Sequence, residues 1–209
     1  MQYFQSLPNI LTIDYSGNAI VVKNILTKAY LPVSLLYNPL VFYKYDIKDH
    51  DTPESIANKY YGDSYRYWLV ILPNQIMDPL WDWPMSQSLF TDYLNDKYAA
   101  VAAANNQSVL EYTNSTIQNY IKEVQTTDGI SENTTTTLYT IDANAYANVT
   151  TYSTTKSFGT YSVSESVSKY TQSVLDYETQ MNESKRTIYL IKSSYASAIE
   201  EQFQKLMSA

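Results

Sequence analysis

The chain has 209 residues, 14 of them basic and 21 acidic, for a net charge of −7, with no cysteine, one histidine and 22 tyrosines. At roughly 100 to 200 residues per domain this length allows one elaborated domain or two small ones. The acidic balance disfavours a phosphate-backbone partner, and the missing cysteines exclude disulfides, thiolate nucleophiles and cysteine metal sites. No window reaches the ~18 uninterrupted apolar residues of a membrane span. The opening stretch, interrupted by Pro8, Asn9 and Asp14, lacks the basic leader and apolar run of a signal peptide.

In chain order, the apolar runs ILTIDY and AIVV flank Ser16-Gly17-Asn18, a turn chemistry that predicts a hairpin. LTKAYLPVSLLYNPL carries Pro32 and Pro39 and reads as an extended arm. VFYKYDI, residues 41–47, is β-branched and aromatic enough for a strand. Thr52 then caps a helix with Pro53 at its first position and Ile56, Ala57, Tyr60 and Tyr61 on its apolar face, and Gly62 stops it. Asp63 caps a second short helix bearing Tyr65, Trp68, Leu69 and Leu72, which Pro73 ends. Asp78-Pro79 makes a turn, and LWDW reads as a short return strand or aromatic loop.

From Ser86 to about Ala104, Leu89, Phe90, Tyr93, Leu94, Tyr98 and Val101 recur at helical spacing. Residues 105–162 are rich in Asn, Thr, Ser and Tyr and contain β-like runs around Asp128-Gly129, which predicts a β-rich excursion. Val163, Val167, Tyr170, Val174, Tyr177 and Met181 step by four and three, the spacing of one helical seam. RTIYLIK predicts a strand, and SSYASAIEEQFQKLMSA a closing helix with Tyr195, Ile199, Phe203 and Leu206 on one side.

Chemistry-bearing residues are few. His50, the lone histidine, precedes a helix cap and reads as a solvated loop residue rather than a triad member or ligand. Asp78 and Asp82 flank aromatics as a glycosidase pair would, yet Asp before Pro is more often a turn device. Trp68, Trp81 and Trp83 are candidates for stacking on sugars. In so small a unit, core is the better reading for Trp68 and Trp81, with Trp83 left open. The five Asn-X-Ser/Thr triplets follow from composition, and there is no phosphate-cradling glycine loop.

The order strand, capped helix, short helix and return segment in YDIKDHDTPESIANKYYGD…LPNQIMDP resembles the LysM module, through Tyr45, Ile47, Asp51-Thr52, Ile56-Ala57, Tyr61-Gly62 and Asn74. His50 stands where that module usually has glycine, and its second-strand Gly-Gln pair is missing, which weighs against sugar binding. DTPESIANKYYGDSYRYWLVILPNQIMDPLWDWP, followed much later by YETQMNESKRTIYLIKSSYASAIEEQFQKLM, more closely resembles the LysM-bearing baseplate wedge subunit of contractile-tailed phages, the gene-fifty-three product. Both blocks agree in order and cover a third to a half of the chain.

The resemblance implies a non-enzymatic virion protein of the tail baseplate, assembled in the host cytoplasm. Its implied partners are other wedge subunits, the neighbouring wedge and the sheath-proximal baseplate subunit, with no cofactor, nucleic acid, membrane or glycan. The architecture expected is α+β: a hairpin and extended arm over 1–40, a LysM-like βααβ core over 41–85, a helix over 86–104, the β-excursion over 105–162 and a helix–strand–helix over 163–209. The core residues expected are Tyr45, Ile47, Ile56, Ala57, Tyr60, Tyr61, Gly62, Trp68, Leu69, Leu72, Asn74 and Trp81. Candidate interface residues are Trp83, Val167, Tyr170, Val174, Tyr177 and Phe203. The rival functions are a peptidoglycan-binding LysM module and a cell-wall hydrolase using Asp78 and Asp82.

Overall fold

A computed structural model describes residues 3–27 and 38–208. In chain order the elements are a 3-10 turn (Tyr3–Ser6), β1 (Asn9–Ile13), β2 (Ala19–Lys23), β3 (Phe42–Asp46), α1 (Pro53–Tyr61), a second 3-10 turn (Ser64–Arg66), α2 (Trp68–Ile71), α3 (Gln87–Ala104) and α4 (Val109–Ser115). Then come β4 (Ile117–Asp128), β5 (Thr134–Ile141), α5 (Ala143–Asn148), β6 (Tyr152–Phe158), β7 (Tyr161–Ser173), α6 (Val174–Glu183), β8 (Thr187–Ile191) and α7 (Ser193–Ser208). The mixture of helix and strand matches the expected class, and the chain divides into two compact units, residues 1–87 with 183–209 and residues 88–182. Most of the expected extended arm, residues 28–37, lies outside the described residues.

In the first unit local chemistry sets α1 as the sequence predicts. Thr52 Oγ1 accepts from Ser55 N–H at 3.1 Å while Ser55 Oγ accepts from Thr52 N–H at 2.8 Å, a reciprocal cap of two otherwise orphaned donors. Pro53 opens the helix, and Gly62 closes it at φ 72°, a left-handed conformation that costs a glycine nothing. Asp63 then accepts from Tyr65 N–H and starts the next turn.

The strand that returns to β3 is β8, so of the two readings of Leu80–Trp83 the return strand is corrected and the aromatic loop stands. β3 and β8 pair antiparallel, from Phe42 opposite Ile191 to Asp46 opposite Thr187. Residues 78–83 instead form turns: Asp82 Oδ2 accepts from Met77 and Asp78 N–H, and Asp78 Oδ1 from Leu80 N–H. Those side-chain acceptors offer the backbone a local alternative to a ladder, whereas Thr187–Ile191 is β-branched and apolar and has Leu190 and Ile191 fully buried.

The core of this unit gathers Ile47, Ile56, Ala57, Trp68, Leu69, Val70, Leu190, Ile191, Ala196 and Phe203, joined by Leu7 from near the N-terminus. Tyr3 stacks on Phe203 at 5.1 Å between ring centroids and lies 5.9 Å from Trp68. Residues 1–40 are therefore not wholly an arm, because two of them complete the core.

In the second unit β4 to β7 form one antiparallel sheet in the order β5-β4-β7-β6. The expected helical seam from Val163 to Met181 is corrected here: it is strand up to Ser173 and helix only from Val174. Alternation wins over the four-and-three spacing because Val163, Glu165, Val167 and Lys169 share one sheet face with Ser at the positions between, and β4 offers an eleven-pair ladder. Helices α3 and α6 meet at a buried charge. Glu178 accepts from Lys97 Nζ and Tyr98 Oη at 2.7 Å and from Tyr93 Oη at 3.0 Å.

Candidate docking surface

Of the expected core residues, Ile47, Ile56, Ala57, Tyr61, Trp68 and Leu69 are buried, and Tyr45, Tyr60 and Leu72 pack against them half-buried. Several polar groups in this core are paired, whereas Trp68 Nε1 and Tyr43 Oη are buried without a hydrogen-bond partner among the described residues. Tyr61 Oη donates to Ile191 O at 2.9 Å, and Tyr45 Oη donates to Asp51 Oδ2 at 2.7 Å. Burial first, and then the neighbouring Asp51 carboxylate, push the Tyr45 hydroxyl up to about 12. Arg66 holds Glu200 through two parallel bonds of 2.9 Å, joining the segment after α1 to α7.

Asn74 fastens the early and late parts of the unit. Its Nδ2 donates to Val70 O and Tyr189 O, and its Oδ1 accepts from Tyr189 N–H at 2.7 Å. The amide thus satisfies backbone groups on β8 that, among the described residues, no third strand serves.

Trp81 does not belong to this core. It is 60% exposed, because the Asp78–Asp82 turn projects Met77, Leu80 and Trp81 outward. Trp83 is half-buried against the core, with Nε1 donating to Asp51 O at 3.0 Å. The bond anchors the edge of the ring to the loop before α1.

The residues that could carry chemistry are engaged or isolated. Hydrogen bonds from Asp78 and then Met77 N–H lower the Asp82 pKa, opposite to what a general acid at neutral pH needs. Asp78 Oδ1 is bound to the turn as well. His50 is an exposed loop residue, as read from sequence, and it takes φ 70°. Among the described residues no group of three His, Asp or Glu side chains is placed to hold a metal, and no helix is long and apolar enough to cross a membrane.

Among the described residues, several exposed large hydrophobics gather on the β1–β2 hairpin. Asp14 Oδ1 accepts from Ser16 and Asn18 N–H at 2.8 Å, and Gly17 at φ 82° completes the turn. Register places Leu11, Ile13 and Val21 on one face and Ile10, Ile20 and Val22 on the other. All are exposed except Val22, which is half-exposed; Leu11 and Ile13 each reach 73%. A half-buried strand alternates apolar with polar, and this hairpin does not.

The expected interface residues fare unevenly. Val167, Val174 and Phe203 are buried in the chain itself, Tyr177 is half-buried and Tyr170 is 40% exposed. The first three cannot meet a partner without unfolding: Phe203 packs on Trp68, 4.9 Å between centroids, and Val167 lies between β4 and β6. No hairpin residue is among the expected interface residues, although the sequence of the hairpin carries the signal. Adjacent apolar residues, Ile10-Leu11 and Ile20-Val21-Val22, place apolar groups on both faces of a strand.

No curated protein matches the sequence. A scan against protein-family models matches base plate wedge protein 53 over residues 11–206. That span runs through both compact units and includes the exposed apolar residues of the hairpin, except Ile10, and of the 77–81 turn. The chain belongs to the base plate wedge protein 53 family and is thus a structural protein of the phage tail baseplate.

Proposed function

We propose that this subunit works without catalysis, joining neighbouring wedges and other baseplate proteins, the sheath-proximal subunit among them, as the tail assembles. One observation carries this reading: a single unit bears two exposed apolar surfaces on different elements, the β1–β2 hairpin and the Met77–Leu80–Trp81 turn. Contiguous exposed apolar groups mark interaction surfaces, and two of them let one subunit hold two neighbours. The packing of β3, α1, α2 and β8 supports reading the core as LysM-like, with residues 88–182 inserted before its last strand. The engagement of Trp83 with Asp51 O and of Asp78 and Asp82 with their turn supports the absence of sugar binding and wall hydrolysis.

Depletion of the subunit from infected cells tests this. Separate wedges are expected to accumulate, with ring closure restored by the wild-type chain and impaired for Leu80→Asp/Trp81→Asp. Complete baseplates formed without the subunit would overturn the joining role. Purified chain is expected to leave peptidoglycan and chitin unbound and intact; retention on either polymer would favour the sugar-binding reading instead.

A further inference from the structure

We infer that the β1–β2 hairpin is an insertion element that enters an apolar cleft of a different baseplate protein, covered there on both faces at once. This rests on the baseplate reading above and names the surface and the kind of partner that reading requires.

The hairpin carries only two charged side chains, Asp14 at its turn and Lys23 at its far end, of opposite sign and each hydrogen-bonded to neutral groups. Lys23 Nζ donates to Leu7 O at 2.8 Å, and the Asp14 carboxylate is occupied by Ser16 and Asn18 in the turn. Ile10, Leu11, Ile13, Ile20, Val21 and Val22 dominate its two faces, with exposed Thr12 among them, so the matching surface is mainly apolar. Among the described residues β1 and β2 pair only with each other, and each there presents an outer row of backbone N–H and C=O groups. Lipid chains cannot satisfy those groups. A protein cleft can, by offering a strand edge or polar side chains at its rim.

Area argues against a second copy. Five residues at ~3.4 Å each make a strand of about 17 Å, so one face of two strands offers on the order of 200 Å². A symmetric hairpin-to-hairpin contact would bury about twice that in total, well short of the roughly 1,200 Å² at the lower end of stable interfaces. It would also leave the opposite apolar face of each hairpin in water. Insertion into a cleft covers both faces and both edges together, and two-stranded ribbons are themselves marginal until something packs on them.

Single thiols read this out directly, because the chain has no cysteine of its own. Leu11→Cys reports one face and Ile20→Cys the other. In the free subunit, with its oligomeric state read by light scattering and a monomer expected, both should react rapidly with a maleimide. In purified tail particles both are expected to lose that reactivity. Protection already present in the free monomer would mean the chain covers its own hairpin, and would overturn the inference. A free dimer dissociated by Leu11→Asp/Val21→Asp would assign the surface to a second copy and overturn it too, as would protection of one face only in the particle.

Competition for incorporation supplies a second measurement. Leu11→Asp/Val21→Asp and Ile10→Asp/Ile20→Asp should each lose to the wild-type chain, and a variant that competes equally would overturn the two-faced insertion. A subunit missing from particles altogether would instead defeat the baseplate reading, whereas one present with both thiols still reactive would defeat the hairpin inference alone.

Discussion

The side-chain amide of Asn74 grips the backbone of Tyr189 on both sides, donating to its carbonyl at 2.8 Å and accepting from its N–H at 2.7 Å, across 115 residues of chain. Its Nδ2 also reaches Val70 O, so one residue ties α2 to β8. This bond set closes a unit whose two halves are separated in sequence by residues 88–182.

Asn74→Ala leaves partly buried groups on Tyr189 and Val70 without their partner. Each unsatisfied buried group costs about 1–3 kcal/mol, offset where water can enter, so a loss of about 2–3 kcal/mol is expected. Urea titration followed by Trp fluorescence measures it. Asn74→Asp retains an acceptor for Tyr189 N–H but faces two carbonyls with a carboxylate, and should recover part of its stability when protonated in mild acid. An Asn74→Ala variant as stable as wild type would show that this tie contributes nothing.

The tryptophans separate by environment. Trp68 is 3% exposed and packs on Tyr3 and Phe203, so Trp68→Ala should cost about 3–5 kcal/mol through lost burial and the cavity left behind. Trp81→Ala should change stability by no more than about 0.5 kcal/mol. Thermal melts of the two variants give the comparison, and the opposite ranking would contradict the placement of both rings.

That contrast marks how far the sequence was legible. Where a local rule was sufficient the reading held: Thr52, Pro53 and Gly62 delimit α1, Asp63 starts the next turn, and Ser16-Gly17-Asn18 turns the hairpin. Trp68 and Trp81 look alike in sequence because each sits among apolar neighbours. Their fates diverge through Asp78 and Asp82, whose carboxylates hold a turn that throws Trp81 outward.

Long-range pairing was harder to read. Thr187–Ile191 was recognised as a strand, but nothing local in it points to Phe42–Asp46 as its partner. The stretch from Val163 to Ser173 satisfied both a helical and an alternating pattern, and only the ladder with β4 decides between them. Tyr3 and Leu7 lie in a short segment without a clear apolar period before the hairpin, and their place beside Trp68 and in the core comes from tertiary packing alone. For the docking surface, the apolar pairs of the hairpin were visible, but their exposure on both faces needed the register.

His50 takes φ 70° in a turn where Asp51 N–H returns to Lys48 O at 3.0 Å. A positive φ at the third turn position favours glycine, and the left-handed conformation costs an L-residue roughly 1–2 kcal/mol. Glycine would relieve that cost but gain unfolded-state freedom worth about 0.5–1 kcal/mol. His50→Gly should therefore stabilise by about 0.5–1 kcal/mol, and His50→Val should destabilise by at least about 1 kcal/mol. Equilibrium denaturation ranks the three chains, and a valine variant equal to the glycine one would contradict the strain.

The Glu178 cluster sets an acid limit on the second unit. Burial by itself would raise the Glu178 pKa, but bonds from Lys97, Tyr98 and Tyr93 outweigh it and hold the carboxyl below its ordinary value of 4.5. A carboxylate whose folded-state pKa is depressed contributes stability that is complete above the unfolded value. That contribution disappears as pH falls through the folded value, since protonation releases the bonds from Lys97 and the two tyrosines. Stability of the second unit should thus decline from about pH 4.5 downward. Glu178→Gln should cost about 1–2 kcal/mol at pH 7, limited because Lys97 is 45% exposed at its side chain and can return to water. It should also flatten the acid decline, so that the two chains converge as pH falls. Urea midpoints from pH 7 to pH 3 read both effects. A constant gap between the two chains across that range would show that Glu178 stays neutral in the folded state or has no ionic role.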